Sequence, residues 1–128
     1  MGLILRYESS FRPTVVLSGG IRAVTAPFPE AMSAYIIARV EVTDWDRYRE
    51  YTKATPEVIA RYGGKFIVRG GEIVTLEGEP EKRRLVVIEF PNLERAQEFF
   101  RSPEYTRVKG LRAGAAVGQF LAVEGASS

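Results

Sequence analysis

The chain has 128 residues, one domain's worth, with 45% hydrophobic and 27% charged residues, so it can bury a core without cross-links. It contains no cysteine and no histidine, which excludes disulfides, thiolate nucleophiles, metal sites built on Cys or His, and Ser-His-Asp triads. Its 18 basic and 16 acidic residues leave a net charge of +2, and the one basic run, Lys82-Arg83-Arg84, follows Glu77, Glu79 and Glu81. That is not the clustered footprint of a nucleic-acid surface.

Residues 1–31 read as a non-core extension, with translation from an upstream start one origin for it. Pro13, Pro27, Pro29 and Gly19-Gly20 punctuate the segment, and its apolar runs are too short for a signal peptide. The alternative is an arm that packs on the domain or on a partner. No apolar run approaches the roughly 18 residues of a membrane span, so a cytoplasmic protein without membrane attachment is expected. The domain proper is expected over 32–125, with a tail at 126–128.

From Met32 the pattern sharpens. Residues 34–42 (AYIIARVEV) predict a strand with Ile36, Ala38, Val40 and Val42 on one apolar face and Tyr35, Ile37, Arg39 and Glu41 on the other. Thr43 or Asp44 caps a helix whose stripe holds Tyr48, Tyr51, Val58, Ile59 and Tyr62. Pro56 is expected to kink it or to restart it behind a Thr55 cap, and Gly63-Gly64 to stop it. Strands follow at 65–69 and, beyond a Gly70-Gly71 bend, at 72–77; a further strand spans 83–90. Asn92 caps a second helix with Leu93, Ala96, Phe99 and Phe100 inward, Ser102-Pro103-Glu104 opens another helical segment, and 119–124 closes as a strand.

The order βαββαβ predicts a ferredoxin-like α+β protomer: a four-stranded antiparallel sheet with helices on one face. The other face still carries Tyr35 and Ile37, so it needs cover. A second copy supplies that most simply, as C2 dimers are the commonest oligomers, and a higher assembly is not excluded.

The segments AYIIARVEVTD, YGGKFIVRGG, LVVIEFPN and SPEY, closing with LAVEG, resemble, in that order, the bacterial family known as domain of unknown function thirteen-thirty, within the dimeric α+β barrel superfamily. The resemblance covers about residues 32–125 and implies two sheets packed face to face in a homodimer. It implies no particular reaction. Superfamily relatives include cofactor-free quinol monooxygenases, muconolactone isomerases and haem-binding members, and many use a histidine that this chain lacks.

Candidate site residues are those whose chemistry survives without histidine. Arg39, two residues from Glu41 on one strand face, is either an anion anchor or half of an ion pair. Glu89 is either a general base raised by burial or a sheet-edge salt-bridge partner. Arg69, before the glycine bend, either clamps a carboxylate or braces the loop. Tyr48 and Tyr105, with Tyr51 and Tyr62, either line a pocket for a flat ligand or pack in the core. Trp45 is an interface or rim residue. No metal site is expected and no cofactor is required. The function that follows is binding, and cofactor-free transformation, of a small organic acid or carbonyl compound held by Arg39 or Arg69 against Tyr48 and Tyr105, with Glu89 moving a proton. A non-enzymatic dimeric scaffold is the alternative, and haem held by Tyr or a carboxylate is a third.

Overall fold

A computed structural model describes residues 32–126; the extension expected at 1–31 and positions 127 and 128 lie outside the described residues. In the unit Ser33–Glu124, strand Ala34–Val42 (β1) leads to helix Trp45–Arg61 (α1), strands Lys65–Arg69 (β2) and Arg84–Phe90 (β3), helices Leu93–Arg101 (α2) and Pro103–Lys109 (α3), a 3-10 turn at Gly110–Arg112, and strand Ala116–Glu124 (β4). The strands form one antiparallel sheet in the order β2-β3-β1-β4. This is the ferredoxin-like arrangement. Among the described residues no helix is long and apolar enough to cross a membrane.

The period-2 pattern of β1 decides which side is core. Ile36 stands between Ile88 and Ala122, Ala38 between Val86 and Phe120, and Val40 between Arg84 and Gly118. This face packs on Tyr48, Tyr51, Val58, Ile59, Ala96, Phe99 and Tyr105 from the helices. The alternate positions Tyr35, Ile37, Arg39 and Glu41 look away from them, as strand geometry requires.

Each helix begins where its sequence supplies an acceptor. Asp44 Oδ1 accepts from the Arg47 amide at 3.2 Å, Asn92 Oδ1 from the Arg95 amide at 2.8 Å, and Ser102 Oγ from the Tyr105 amide at 3.0 Å. After α1, Gly63 turns at φ 79°, and the Gly64 amide donates to the Ile59 carbonyl at 2.9 Å.

Three local expectations are corrected. Pro56 does not restart α1 behind a Thr55 cap: the helix runs through from Trp45 to Arg61. An interior proline deprives the carbonyl four residues earlier of its donor. That carbonyl is Thr52, and Arg69 Nη2 donates to it at 2.7 Å from the end of β2, with Thr55 Oγ1 also donating at 3.3 Å. Residues 72–77 form no strand. The Gly70 amide donates to the Leu85 carbonyl at 2.9 Å, and the left-handed turn at Gly70 (φ 73°) then takes the chain off the edge of β3, which starts only at Arg84. Beyond that point 72–77 has no strand to pair with, and Leu76 is 92% exposed. Finally, β4 starts at Ala116 instead of 119, since the Thr43 and Asp44 amides both donate to the Ala115 carbonyl, at 2.8 and 3.1 Å, and align it with β1 from Val42 onward.

If Arg69 stands in for the missing amide, Arg69→Met costs about 1 kcal/mol. The cost shrinks in a Pro56→Ala background, where the helix amide returns to Thr52. A double-mutant cycle of urea midpoints measures this as a coupling of about 0.5 kcal/mol or more; additive effects would remove the account.

Candidate functional site

Between sheet and helices lies a cavity of ≈ 30 Å³. Its walls are mainly apolar, from Ile36, Ala38, Val86, Ile88 and Phe99, and its polar groups come from Tyr48, Tyr51, Tyr105, Arg69 and Arg84. β1 and β3 provide the floor, α1 brings Tyr48 and Tyr51 on one stripe, and α3 brings Tyr105. The space holds a water or two.

At its centre two phenols meet. Tyr51 and Tyr105 hydroxyls are 2.7 Å apart, and Arg112 Nη2, on the 3-10 turn, donates to the Tyr105 hydroxyl at 3.4 Å. The Arg112 guanidinium also lies over the Phe120 and Tyr51 rings, 4.6 and 5.3 Å from their centroids. Removal from water pushes the Tyr51 phenol well above its ordinary value, and the neighbouring Tyr105 reinforces the shift. Tyr48 is also raised, chiefly by burial, with Arg84 working against it. Both therefore stay protonated as hydrogen-bond donors.

Among the described residues, two buried nitrogens find no acceptor, Arg84 Nε and Arg112 Nε. Buried polar atoms normally have partners, so each is a donor available to something else.

The residues expected from the sequence divide between the two faces of the sheet. Tyr48, Tyr105 and Arg69 border the cavity. Arg39 and Glu89 do not: they lie on the opposite face with Tyr35 and Leu85 as register partners. Arg39 Nη1 donates to Gln119 Oε1 at 3.2 Å and its Nε lies 3.5 Å from Glu81. Glu89 sits 3.6 Å from Lys65 Nζ. Alternation puts odd-numbered β1 residues and their register partners behind the sheet, so Glu89 does not border this cavity. Among the described residues no carboxylate lines it.

Arg84 and Arg112 were missed. For Arg84 the signal was present, since it shares the period-2 face of Val86, Ile88 and Phe90. For Arg112 no sequence pattern existed; its burial (9% exposed) follows from the turn that brings it under α1.

The model of a family described as a domain of unknown function, DUF1330, matches residues 33–126, and the chain belongs to that family. A protein of unknown function from Rhodopseudomonas palustris superposes with a TM-score of 0.60 at 20% identity, covering 76% of this chain and 85% of that one. SnoaB, a cofactor-independent oxygenase from Streptomyces nogalater, superposes with a TM-score of 0.55 at 10% identity, covering 77% and 97%. At such identities the likeness is one of fold. Among curated proteins no relative matches the sequence.

Because the Tyr51 phenol titrates higher in the folded chain than its ordinary value of 10.0, the stability it confers is intact below pH 10 and is lost as pH rises above it, where the unfolded chain ionises first. Tyr51→Phe should flatten the fall of the urea midpoint between about pH 9.5 and 11 relative to wild type. Parallel profiles for the two proteins would show that Tyr51 carries no such linkage.

Proposed function

We propose that this member of the DUF1330 family is a cytoplasmic homodimer that binds a small organic acid or carbonyl compound between sheet and helices, with the ligand's oxygen on the Tyr105 hydroxyl. One observation carries the reading: two tyrosines of a mainly apolar cavity wall, Tyr51 and Tyr105, pair their hydroxyls at 2.7 Å, and Arg112, behind that wall, donates to the Tyr105 hydroxyl. Donors fixed in a water-poor site stabilise charge developing on an oxygen far better than water does. A carbonyl placed there would be polarised toward its enolate. Among the described residues no carboxylate lines the cavity, so on this reading the site binds and polarises and does not abstract a proton through Glu89.

The cavity is smaller than the roughly 300–1,000 Å³ of ordinary ligand pockets. A ligand larger than a water or two therefore needs side chains that border the cavity to move. Haem gains no support: Tyr48 and Tyr51 are held protonated, and among the described residues no carboxylate lines the cavity. SnoaB shows that the fold can host cofactor-independent oxygenation, but a fold shared at this distance does not transfer a reaction.

The homodimer rests on the other face. Val117 is 72% exposed, Leu121 46% and Val123 45%, with Ile67 and Val68 also exposed toward the β2 edge. A row of aliphatic groups interleaved with Arg39, Glu89 and Gln119 is what a second copy would cover. There Arg39 and Glu89 take roles at the seam.

The ligand reading is tested by ligand-observed NMR with one-ring carboxylic acids and aldehydes. At least one should bind wild type, and Tyr105→Phe should weaken it about tenfold; a silent panel, or equal binding by the variant, sinks the reading. For the dimer, sedimentation velocity should give two subunits for wild type and one for Leu121→Asp, and a monomeric wild type would end that proposal.

A further inference from the structure

Arg84 belongs to two compartments. Its place opposite Val40 turns it to the helix side of the sheet, where it borders the inner cavity. It also walls a separate outer groove of ≈ 380 Å³, formed with Trp45, the Gly70-Gly71 bend, Lys82 and Arg83. Its guanidinium carbon lies 5.8 Å from the Trp45 ring centre and 5.9 Å from that of Tyr48, one aromatic on each side of the partition.

Three further features bear on this arginine. Its Nε is buried without an acceptor among the described residues. The acid in the groove, Glu81, is already engaged: Arg83 reaches its carboxylate at 2.9 and 3.3 Å, and Arg39 lies 3.5 Å from it. Gly70 makes the slot in which the guanidinium rests, for a Cβ there would collide with Arg84 Nη1. The turn at Gly70 and the seat of Arg84 thus require the same absent side chain.

We infer that Arg84 is the carboxylate-recognising residue of the proposed site, drawing the ring of a planar organic acid from the groove past Trp45 and pairing with its anionic end. This rests on the reading of the cavity as a ligand site and adds a charge preference to it. A guanidinium matches a carboxylate with two parallel hydrogen bonds, and the pair would satisfy the Nε that now has no acceptor. The groove has the volume of a small-molecule pocket, which the inner cavity lacks. Its face is basic, as Lys82, Arg83 and Arg84 outnumber the one neutralised Glu81. Trp45, 46% exposed, offers its ring to a flat ligand at the entrance.

Trp45 is the only tryptophan in the chain, so its fluorescence reports on the partition directly. The probes are benzoate and benzamide, alike in shape and different in charge. For wild type, a saturable change should appear with benzoate at about tenfold lower concentration than with benzamide. Arg84→Met should bring the two to parity by weakening benzoate alone. Gly70→Ala, which keeps every charge and displaces the guanidinium, should narrow the preference in the same direction; Arg84→Lys, with one point charge and no fork, should fall between. Equal weakening of both probes by Arg84→Met, or an unchanged preference in both Arg84→Met and Gly70→Ala, would overturn the assignment and leave the cavity reading standing. Benzoate binding seen by NMR with no response from Trp45 would also overturn it. Failure of both probes on wild type, together with a silent acid and aldehyde panel, would remove the cavity reading itself.

Discussion

Pro56 strips the Thr52 carbonyl of its helical donor, and Arg69 replaces that donor from the last residue of β2. Much of the arrangement follows from this one bond. It fastens the middle of α1 to the sheet edge, so the Tyr48–Tyr51 stripe faces β1 and β3 at fixed height. It lays the Arg69 guanidinium over the Phe66 ring, 4.1 Å from its centre, which closes one end of the cavity. It also holds β2 in place just before Gly70 turns the chain away, so that the groove beside Trp45 has a rigid wall. An arginine here spends one of its five donors on structure and keeps the others at the margin of the cavity.

The second organising fact is that the sheet is two-sided in chemistry as well as in packing. On the helix side, aromatic rings run in contact from Phe90 through Phe99 and Tyr105 to Tyr51, with centroid spacings of 5.2, 4.6 and 6.3 Å, and Tyr105 also meets Phe100 at 5.1 Å. Rings packed edge-to-face or offset at such distances resist collapse into the small space left between them. Polar groups inside satisfy one another in part, phenol to phenol and guanidinium to phenol, with the Nε atoms of Arg84 and Arg112 left without an acceptor among the described residues. On the far side, Arg39 with Gln119 and Glu81, and Lys65 with Glu89, form partly exposed pairs worth little by themselves. Between them stand Val117, Leu121 and Val123, which gives that surface the mixed composition of a contact between subunits.

Proton chemistry separates the two sides further. Burial drives the phenols of Tyr48 and Tyr51 toward their protonated form, which makes them donors, while Glu41 and Glu89 lie on the outer face and Glu81 in the loop. Among the described residues the cavity is lined by donors and by no carboxylate, which is what the proposed role in holding and polarising an oxygen requires. In that setting Arg84 stands out, because its position joins the inner cavity to an open groove and its Nε has no acceptor among the described residues.

The amino-acid sequence by itself determined the fold, the positions of the caps, the core face of β1 and the aromatic set on the helices. These depend on local periodicity and on residues such as Asp44, Asn92 and Ser102 that act within one turn. Two things were beyond its reach. The uninterrupted α1 required a donor thirteen positions past Pro56, and the absence of a strand at 72–77 depended on where β3 begins, neither of which is a local property. The pairing of Tyr51 with Tyr105, the burial of Arg112 and the separation of Arg39 and Glu89 from the tyrosines were likewise settled by tertiary structure. Alternation states that neighbours point to opposite faces, but only the packed helices decide which face encloses a cavity.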